Sequence, residues 1–249
     1  MTMQRELLVR QTFRDACEQE NGLAGWQQQY IQTRSGTYSG ALTTLNLPGI
    51  AISRERVGVP VAQSTSAPAG TLVFAASLAG IAWRVNAARQ AADAFTIMRG
   101  GFEVMAVADE PSDLLLVVAD LAWLGLSAAD LPPMVICDGD DETEAAKSWF
   151  VSLLAACADD AAGLSHELQA LLPDLVADRL LALTRRLRHD GGPVRGHGAY
   201  EVFRRAQALI EEEIHEPLTV AALSRRLDLP ADILREAFLE TVGTGPSAW

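Results

Sequence analysis

No run of this sequence stays apolar for the roughly 20 residues that a membrane-spanning helix needs. The N-terminus, MTMQRELLVRQTFRDACEQE, is charged throughout and lacks the apolar core of a signal peptide. Cytoplasmic residence and no membrane partner are therefore expected. Cysteine is scarce: Cys17, Cys137 and Cys157 are odd in number and widely spaced, which gives neither a disulfide framework nor a zinc site. Cationic side chains are outnumbered, 20 Lys and Arg against 32 Asp and Glu. The net charge of −12 argues against indiscriminate binding to nucleic acid. Enzyme motifs are missing as well: no Gly-x-Ser-x-Gly elbow, no phosphate-cradling Gly-x-x-x-x-Gly-Lys, no dinucleotide fingerprint. No catalytic residue, metal site or cofactor is expected, and the chain does not read as an enzyme.

What is present is the composition of a globular protein. The chain is 49% hydrophobic and 21% charged over 249 residues, enough for one large or two modest domains. Residues 1–20 read as a short helix with Leu7, Leu8 and Phe13 on one side. From 36 to 121, apolar and polar positions alternate between Gly and Pro punctuation, the pattern of half-buried strands. GTYSGALTTLNLPGIAISRERVGVPVAQST alternates in this way, and further candidates are 71–78, 81–85, 95–99, 102–107 and 114–118, about seven or eight strands in all, which predicts a small antiparallel β-sandwich or barrel. RGGF at 99–102 reads as a hairpin turn. Trp26, Trp83, Trp123 and Tyr38 are candidates for the wall of an apolar pocket, but aromatic residues in strands are more often core, and pocket residues stay unassigned.

After Leu131-Pro-Pro the pattern turns helical. The acidic run DGDDETE at 138–144 lacks the glycine and closing glutamate of a calcium loop. It reads instead as a helix start, with Asp141 capping and Glu144 reaching back. Helices are expected over about 143–158 and 165–188. Leu164, Leu168, Leu171, Leu172, Leu175, Leu180, Leu183 and Leu187 give the second a broad apolar surface, for packing within the chain or for a dimer. HDGGPVRGHG at 189–198 has the composition of a flexible linker.

The last stretch, residues 199–249, carries three short helical patterns. The first, about 201–214, places Val202, Ala206, Leu209, Ile210 and Ile214 on one face and is stopped by Pro217. Thr219 is the N-cap of a second helix with Val220, Leu223 and Leu227 inward. Asp228-Leu229-Pro230 is a turn. The third helix, 231–242, buries Leu234, Ala237 and Phe238 and ends at Gly243. Its opposite face carries Asp232, Arg235, Glu236 and Leu239 at i, i+3, i+4 and i+7. That face is either a DNA-reading surface or the solvated side of a three-helix mini-domain.

HEPLTVAALSRRLDLP, followed by ILREAF and GTGPSAW, resembles the first helix-turn-helix of the AraC/XylS family of bacterial transcription regulators. The resemblance implies that Asp232, Arg235 and Glu236 reach base edges, with Leu239 beside them and Arg225 and Arg226 in the preceding helix. It departs from the family in three places. Carboxylates stand where basic or amide side chains are usual, Asp228 replaces a glycine, and Pro230 replaces a hydroxyl-bearing cap. The family would continue into a second helix-turn-helix, so weak specific DNA binding is expected of the chain as given. Residues 26–118 more loosely resemble the cupin-like effector domain of such regulators, nearest to activators of amine catabolism such as the ethanolamine-operon regulator.

The expected fold class is α+β: a cupin-like sandwich or barrel over 1–135, a helical dimerisation region over 136–190, and an incomplete helix-turn-helix unit over 199–249. All four histidines, His166, His189, His197 and His215, follow the β-rich region, which leaves a cupin barrel without metal-binding histidines. Three functions fit. The first is a DNA-binding transcription regulator with a small-molecule effector, a homodimer that would also meet RNA polymerase. The second is an interaction protein that dimerises without specific DNA binding. The third is a metal-free cupin enzyme. The terminal segment sets Arg204, Arg205, Arg225, Arg226 and Arg235 against nine carboxylates, which counts against the first.

Overall fold

Alternating strands at the N-terminal end and amphipathic helices at the C-terminal end assemble into stacked layers. The computed structural model describes residues 6–159, 166–185, 197–213 and 218–249. Seven strands form one antiparallel sheet: β1 (Leu8–Phe13), β3 (Gly40–Leu47), β4 (Ile50–Val57), β11 (Ser112–Asp120), β6 (Thr71–Ser77), β9 (Phe95–Arg99) and β12 (Met134–Cys137), in that spatial order. Five form the other: β2 (Gln27–Gln32), β5 (Val61–Ser66), β10 (Glu103–Ala108), β7 (Trp83–Val85) and β8 (Ala88–Gln90). The two sheets pack as a cupin-like sandwich.

Helices cover both outer faces. Strand parity puts Leu72, Phe74, Leu115 and Val117 on the outer face of the larger sheet, where Phe150, Leu154, Leu172, Val176 and Leu180 close over them. These side chains come from α2 (Asp141–Asp159) and α3 (His166–Thr184). On the smaller sheet, Ala62, Met105 and Val107 face outward. They are covered by α4 (His197–Glu212), α5 (Val220–Leu227) and α6 (Ala231–Val242). Phe203 of α4 is fully buried against Phe238 of α6, ring centroids 4.8 Å apart, and against Trp249 at 5.6 Å. Edge-to-face pairs of this kind add about 0.5–1.5 kcal/mol each beyond their burial.

The local capping signals of the terminal helices act as their chemistry requires. Thr219 Oγ1 accepts from the Ala222 N–H at 3.1 Å. Asp228 takes the left-handed conformation (φ 52°, ψ 48°) that lets α5 end and α6 begin within three residues. Pro230 offers no side-chain cap.

Several expectations need correction. Residues 8–13 are a strand, and among the described residues of the N-terminal stretch the one helix is the short α1 (Ala16–Glu20). Pairing of Leu8–Phe13 along β3 ties down the inward backbone groups of this edge strand, an advantage its helical periodicity could not reveal. Among the described residues there are twelve strands: nine lie within 36–121, where seven or eight were expected, and β1, β2 and β12 flank that region. β12 interrupts the expected switch to helix after Pro133. RGGF is not a hairpin turn: it joins β9 in one sheet to β10 in the other. Gly100 is required there, since a Cβ would stand 1.8 Å from the Pro68 carbonyl oxygen. The first turn of α2 is capped by Asp140, whose Oδ1 accepts from Thr143 N at 2.9 Å, and not by Asp141; Glu144 pairs forward with Lys147. The proposed linker at 189–198, apart from the first residues of α4, lies outside the described residues. So do Ile214, Pro217, His189 and His215, and the side chains of His166, Leu168 and His197.

Candidate effector cavity and nucleic-acid interface

The inward faces of the two sheets enclose a cavity of about 50 Å³. At ~10–15 Å³ per water, that is room for a few waters or a small molecule. The larger sheet supplies Glu55, Ala75, Ser77, Thr96, Met98, Leu114 and Leu116; the smaller supplies Gln63, Thr65, Trp83, Val85, Gln90, Val104 and Ala106, and Trp26, just before β2, completes the lining. Of the four aromatic candidates that the sequence left unassigned, Trp26 and Trp83 line this cavity. Trp123 does not: it is 45% exposed, lying against Gly49 on the outside. Tyr38 packs in the core at one end of the sandwich.

Polar groups in the cavity fall into two classes. The first is a hydrogen-bonded network around Glu55. Tyr30 Oη donates to Glu55 Oε1 at 2.5 Å, and Gln19 Nε2 donates to the same oxygen at 3.1 Å. Gln63 Nε2 and Gln28 Nε2 both donate to Tyr30 Oη, at 2.9 and 3.2 Å, and Tyr38 Oη donates to Gln19 Oε1 at 2.9 Å. Burial raises the Glu55 carboxyl above its usual range, opposed by hydrogen bonds from Tyr30, Gln19 and Gln63. Burial first, and the Glu55 charge second, push the Tyr30 phenol well above its ordinary value, so it remains a donor. Gln90 and Thr96 are likewise satisfied: Thr96 Oγ1 donates to Gln90 Oε1 at 3.0 Å, and Gln90 Nε2 to the Ala94 carbonyl at 3.2 Å.

The second class is unsatisfied. Trp83 Nε1, Thr65 Oγ1 and Ser77 Oγ are buried with no hydrogen-bond partner among the described residues, and all three residues line the cavity. Leaving a buried polar group unpaired costs about 1–3 kcal/mol. Sequence reading missed Glu55 because it sits between Arg54 and Arg56 and looks solvated. The available signal was parity: Glu55 shares the inward side of β4 with Val57.

The second candidate site is on α6. Asp232, Arg235, Glu236 and Leu239 all lie exposed, Leu239 at 55%, while Leu234, Ala237 and Phe238 are buried behind them. Ile233, which the sequence reading passed over, joins this surface at 40% exposure. Arg225 and Arg226 are exposed on α5, the latter paired with Glu213. Among the described residues no three His, Cys, Asp or Glu side chains are placed to hold a metal ion, and no helix is long and apolar enough to cross a membrane.

No family model matches the sequence. Among solved structures, the AraC-like transcriptional activator CuxR matches 92% of this chain and 88% of its own, with TM-score 0.50 and 15% identity. At that identity the likeness is one of fold, and it spans sandwich and terminal helices together. The chain has the fold of an AraC-like activator. ToxT from Vibrio cholerae O395 aligns over 90% of this chain and 77% of its own at TM-score 0.30 and 10% identity. Over 45% of this chain, a variant oxalate decarboxylase of Bacillus subtilis aligns with 42% of its own length at TM-score 0.27 and 11% identity.

Proposed function

We propose that this chain is an AraC-type transcription regulator that senses a small molecule in the sandwich cavity and reads DNA with α6. The observation that carries the reading is the alternation along β10. Val104 and Ala106 face the cavity, while Met105 and Val107 hold the terminal helices. One layer of backbone thus separates a ligand site from a candidate reading helix. β7 repeats the arrangement: Trp83 and Val85 line the cavity, and Arg84 points the other way, to Gly243 at the end of α6. A ligand that moves either strand moves the platform on which α6 rests.

In this reading Arg235 reads a base edge, Asp232, Glu236 and Leu239 flank it, and Arg225 and Arg226 lie towards the phosphates. The sandwich is the effector domain, α2 and α3 are the dimerising region, and α4–α6 form the helix-turn-helix unit of a cytoplasmic homodimer that meets RNA polymerase at the promoter. A binding titration against DNA upstream of the protein's own gene tests it. Sequence-specific binding that weakens on Arg235→Ala is expected; equal affinity for specific and scrambled DNA by the folded protein would refute it. A second reading, a dimerising interaction protein, draws support from the two carboxylates on the α6 face, which repel phosphate.

A further inference from the structure

We infer that the β7–β8 hairpin of the sandwich is a second DNA contact, with Arg89 and Arg34 meeting the phosphates that flank the groove α6 enters. The inference rests on reading α6 as the DNA-reading helix and extends the partner surface beyond it.

The reading face of α6 does not stop at Leu239. One turn on, at i+4, the same face reaches Gly243, whose N–H donates to the Leu239 carbonyl. The Arg84 guanidinium lies against Gly243. At its C-terminal end, then, the face that carries Asp232, Arg235 and Glu236 runs into β7.

Strand register sets the charge found there. Arg84 and Arg89 are directly opposite partners on β7 and β8. The next pair, Trp83 with Gln90, lines the cavity, so both arginines take the outer face. Asn86 and Ala87 turn the hairpin, both at positive φ, the two-residue geometry that fixes this register. Asn86 also ties it to β10, its Oδ1 accepting from the Met105 N–H at 2.9 Å.

Like charges directly opposite on a sheet are destabilising. Arg84 finds a counter-charge in Asp109. Arg89 is exposed and has no ion pair or side-chain hydrogen bond among the described residues, and the same holds for Arg34 in the loop after β2. The three guanidiniums converge on one carboxyl. Asp109 is held below its ordinary range by the hydrogen bonds from Arg84 first and, against burial, by the charges of Arg84, Arg34 and Arg89.

A chain of net charge −12 thus gathers three arginines, against Asp109 and the exposed Glu110, where the reading face ends. The face itself offers one cation, Arg235, between two carboxylates. A phosphate backbone beside the groove is the anion that this placement fits. Guanidinium binds phosphate in bidentate fashion, and such contacts position a protein on DNA without reading sequence. Arg84, paired with Asp109 and largely buried, anchors the hairpin to α6, and Arg89 and Arg34 reach the phosphates.

The test titrates the full chain against two duplexes of equal length, DNA upstream of its own gene and a scrambled sequence, at about 50 and 200 mM salt. Arg89→Ala with Arg34→Ala should weaken binding to both duplexes alike, about 10-fold or more, and lower the salt slope by about 0.9 for each lost contact. Lysine at both positions keeps the charge and should keep the slope. Arg56→Ala, on the exposed outer face of the larger sheet, also removes a cation and should leave affinity and slope unchanged. Circular dichroism should match the parent throughout. The inference is overturned if the parent binds neither duplex, or if the double alanine variant keeps the parent's affinity and slope. It is equally overturned if Arg56→Ala weakens binding as much, since net charge alone would then be responsible. Arg235→Ala keeps the two readings apart: it acts on the difference between the duplexes, whereas the hairpin acts on their common affinity. Equal binding of both duplexes by the parent, weakened in the double alanine variant, would refute α6 as a sequence reader and leave the hairpin contact standing.

Discussion

The guanidinium of Arg84 fills the space beside the backbone of Gly243: a Cβ on Gly243 would lie 2.6 Å from Arg84 Nη2. Arg84 is held there by Asp109, Nη1 to Oδ2 and Nη2 to Oδ1 both at 2.7 Å. The contact joins the end of α6 to a strand whose residues on either side of Arg84, Trp83 and Val85, line the cavity. It can form only because Gly243 takes φ +75° and has no side chain.

Gly243→Ala should therefore act twice. An alanine in the left-handed region costs about 1–2 kcal/mol, and its methyl displaces Arg84. We expect a lower denaturation midpoint and faster proteolysis within the terminal helices. A variant as stable and as resistant as the parent would show that the contact contributes nothing.

α3 separates its leucines into two sets that the sequence could not distinguish. Leu172 is buried against the larger sheet, whereas Leu171 and Leu175 are 57% and 50% exposed. A dimer through this helix must use the exposed pair. Leu171→Lys with Leu175→Lys should give a folded monomer in sedimentation, while Leu172→Lys should unfold the protein, since truncating or charging such a site costs several kcal/mol, about 2–5 for Leu→Ala alone. A persistent dimer in the exposed double variant would move the interface elsewhere.

On α6, Asp232 and Glu236 bring negative charge to the face on which Arg235 is the one cation. Replacing both carboxylates with arginine should tighten DNA binding and steepen its salt dependence, because each added phosphate contact releases counterions. Arg235→Ala should cost about 1–3 kcal/mol of discrimination if it reads a guanine. Titrations at two salt concentrations measure both effects. An unchanged salt slope in the double variant would mean that this face does not approach the phosphates.

Glu55 makes stability depend on pH in an unusual direction for an acid. Its folded pKa is raised by burial, so its favourable contribution is complete below the ordinary carboxyl range and is lost as pH rises through the folded value. Glu55→Gln retains a carbonyl for Tyr30 and Gln19 and cannot ionise. Relative to the variant, the parent should lose stability with rising pH, by up to ~1.4 kcal/mol per pH unit between its unfolded and folded pKa values. Urea midpoints at about pH 5 and pH 8 give the comparison. A constant difference at both would indicate that Glu55 titrates normally.

Much was legible in one dimension. Hydrophobic period distinguishes the β-rich region from the helices, and the end of the chain is written in local signals: Thr219 caps, Asp228 turns, Gly243 stops, and Leu234, Ala237 and Phe238 mark one face. Such signals act within a few residues, so they survive without knowledge of the rest of the fold. Three-dimensional packing decided what depends on partners distant in sequence. Leu8–Phe13 became a strand because β3 offered it an edge; RGGF became a crossover because its two strands belong to different sheets. Met105 and Ala106 are neighbours in sequence with opposite fates, one holding helices and the other lining a cavity, because a pleated strand sends alternate side chains to opposite faces. Glu55 and Trp83 come from strands in different sheets, and only the closing of those sheets over one another turns a surface-looking acid and a core-looking indole into walls of the same cavity.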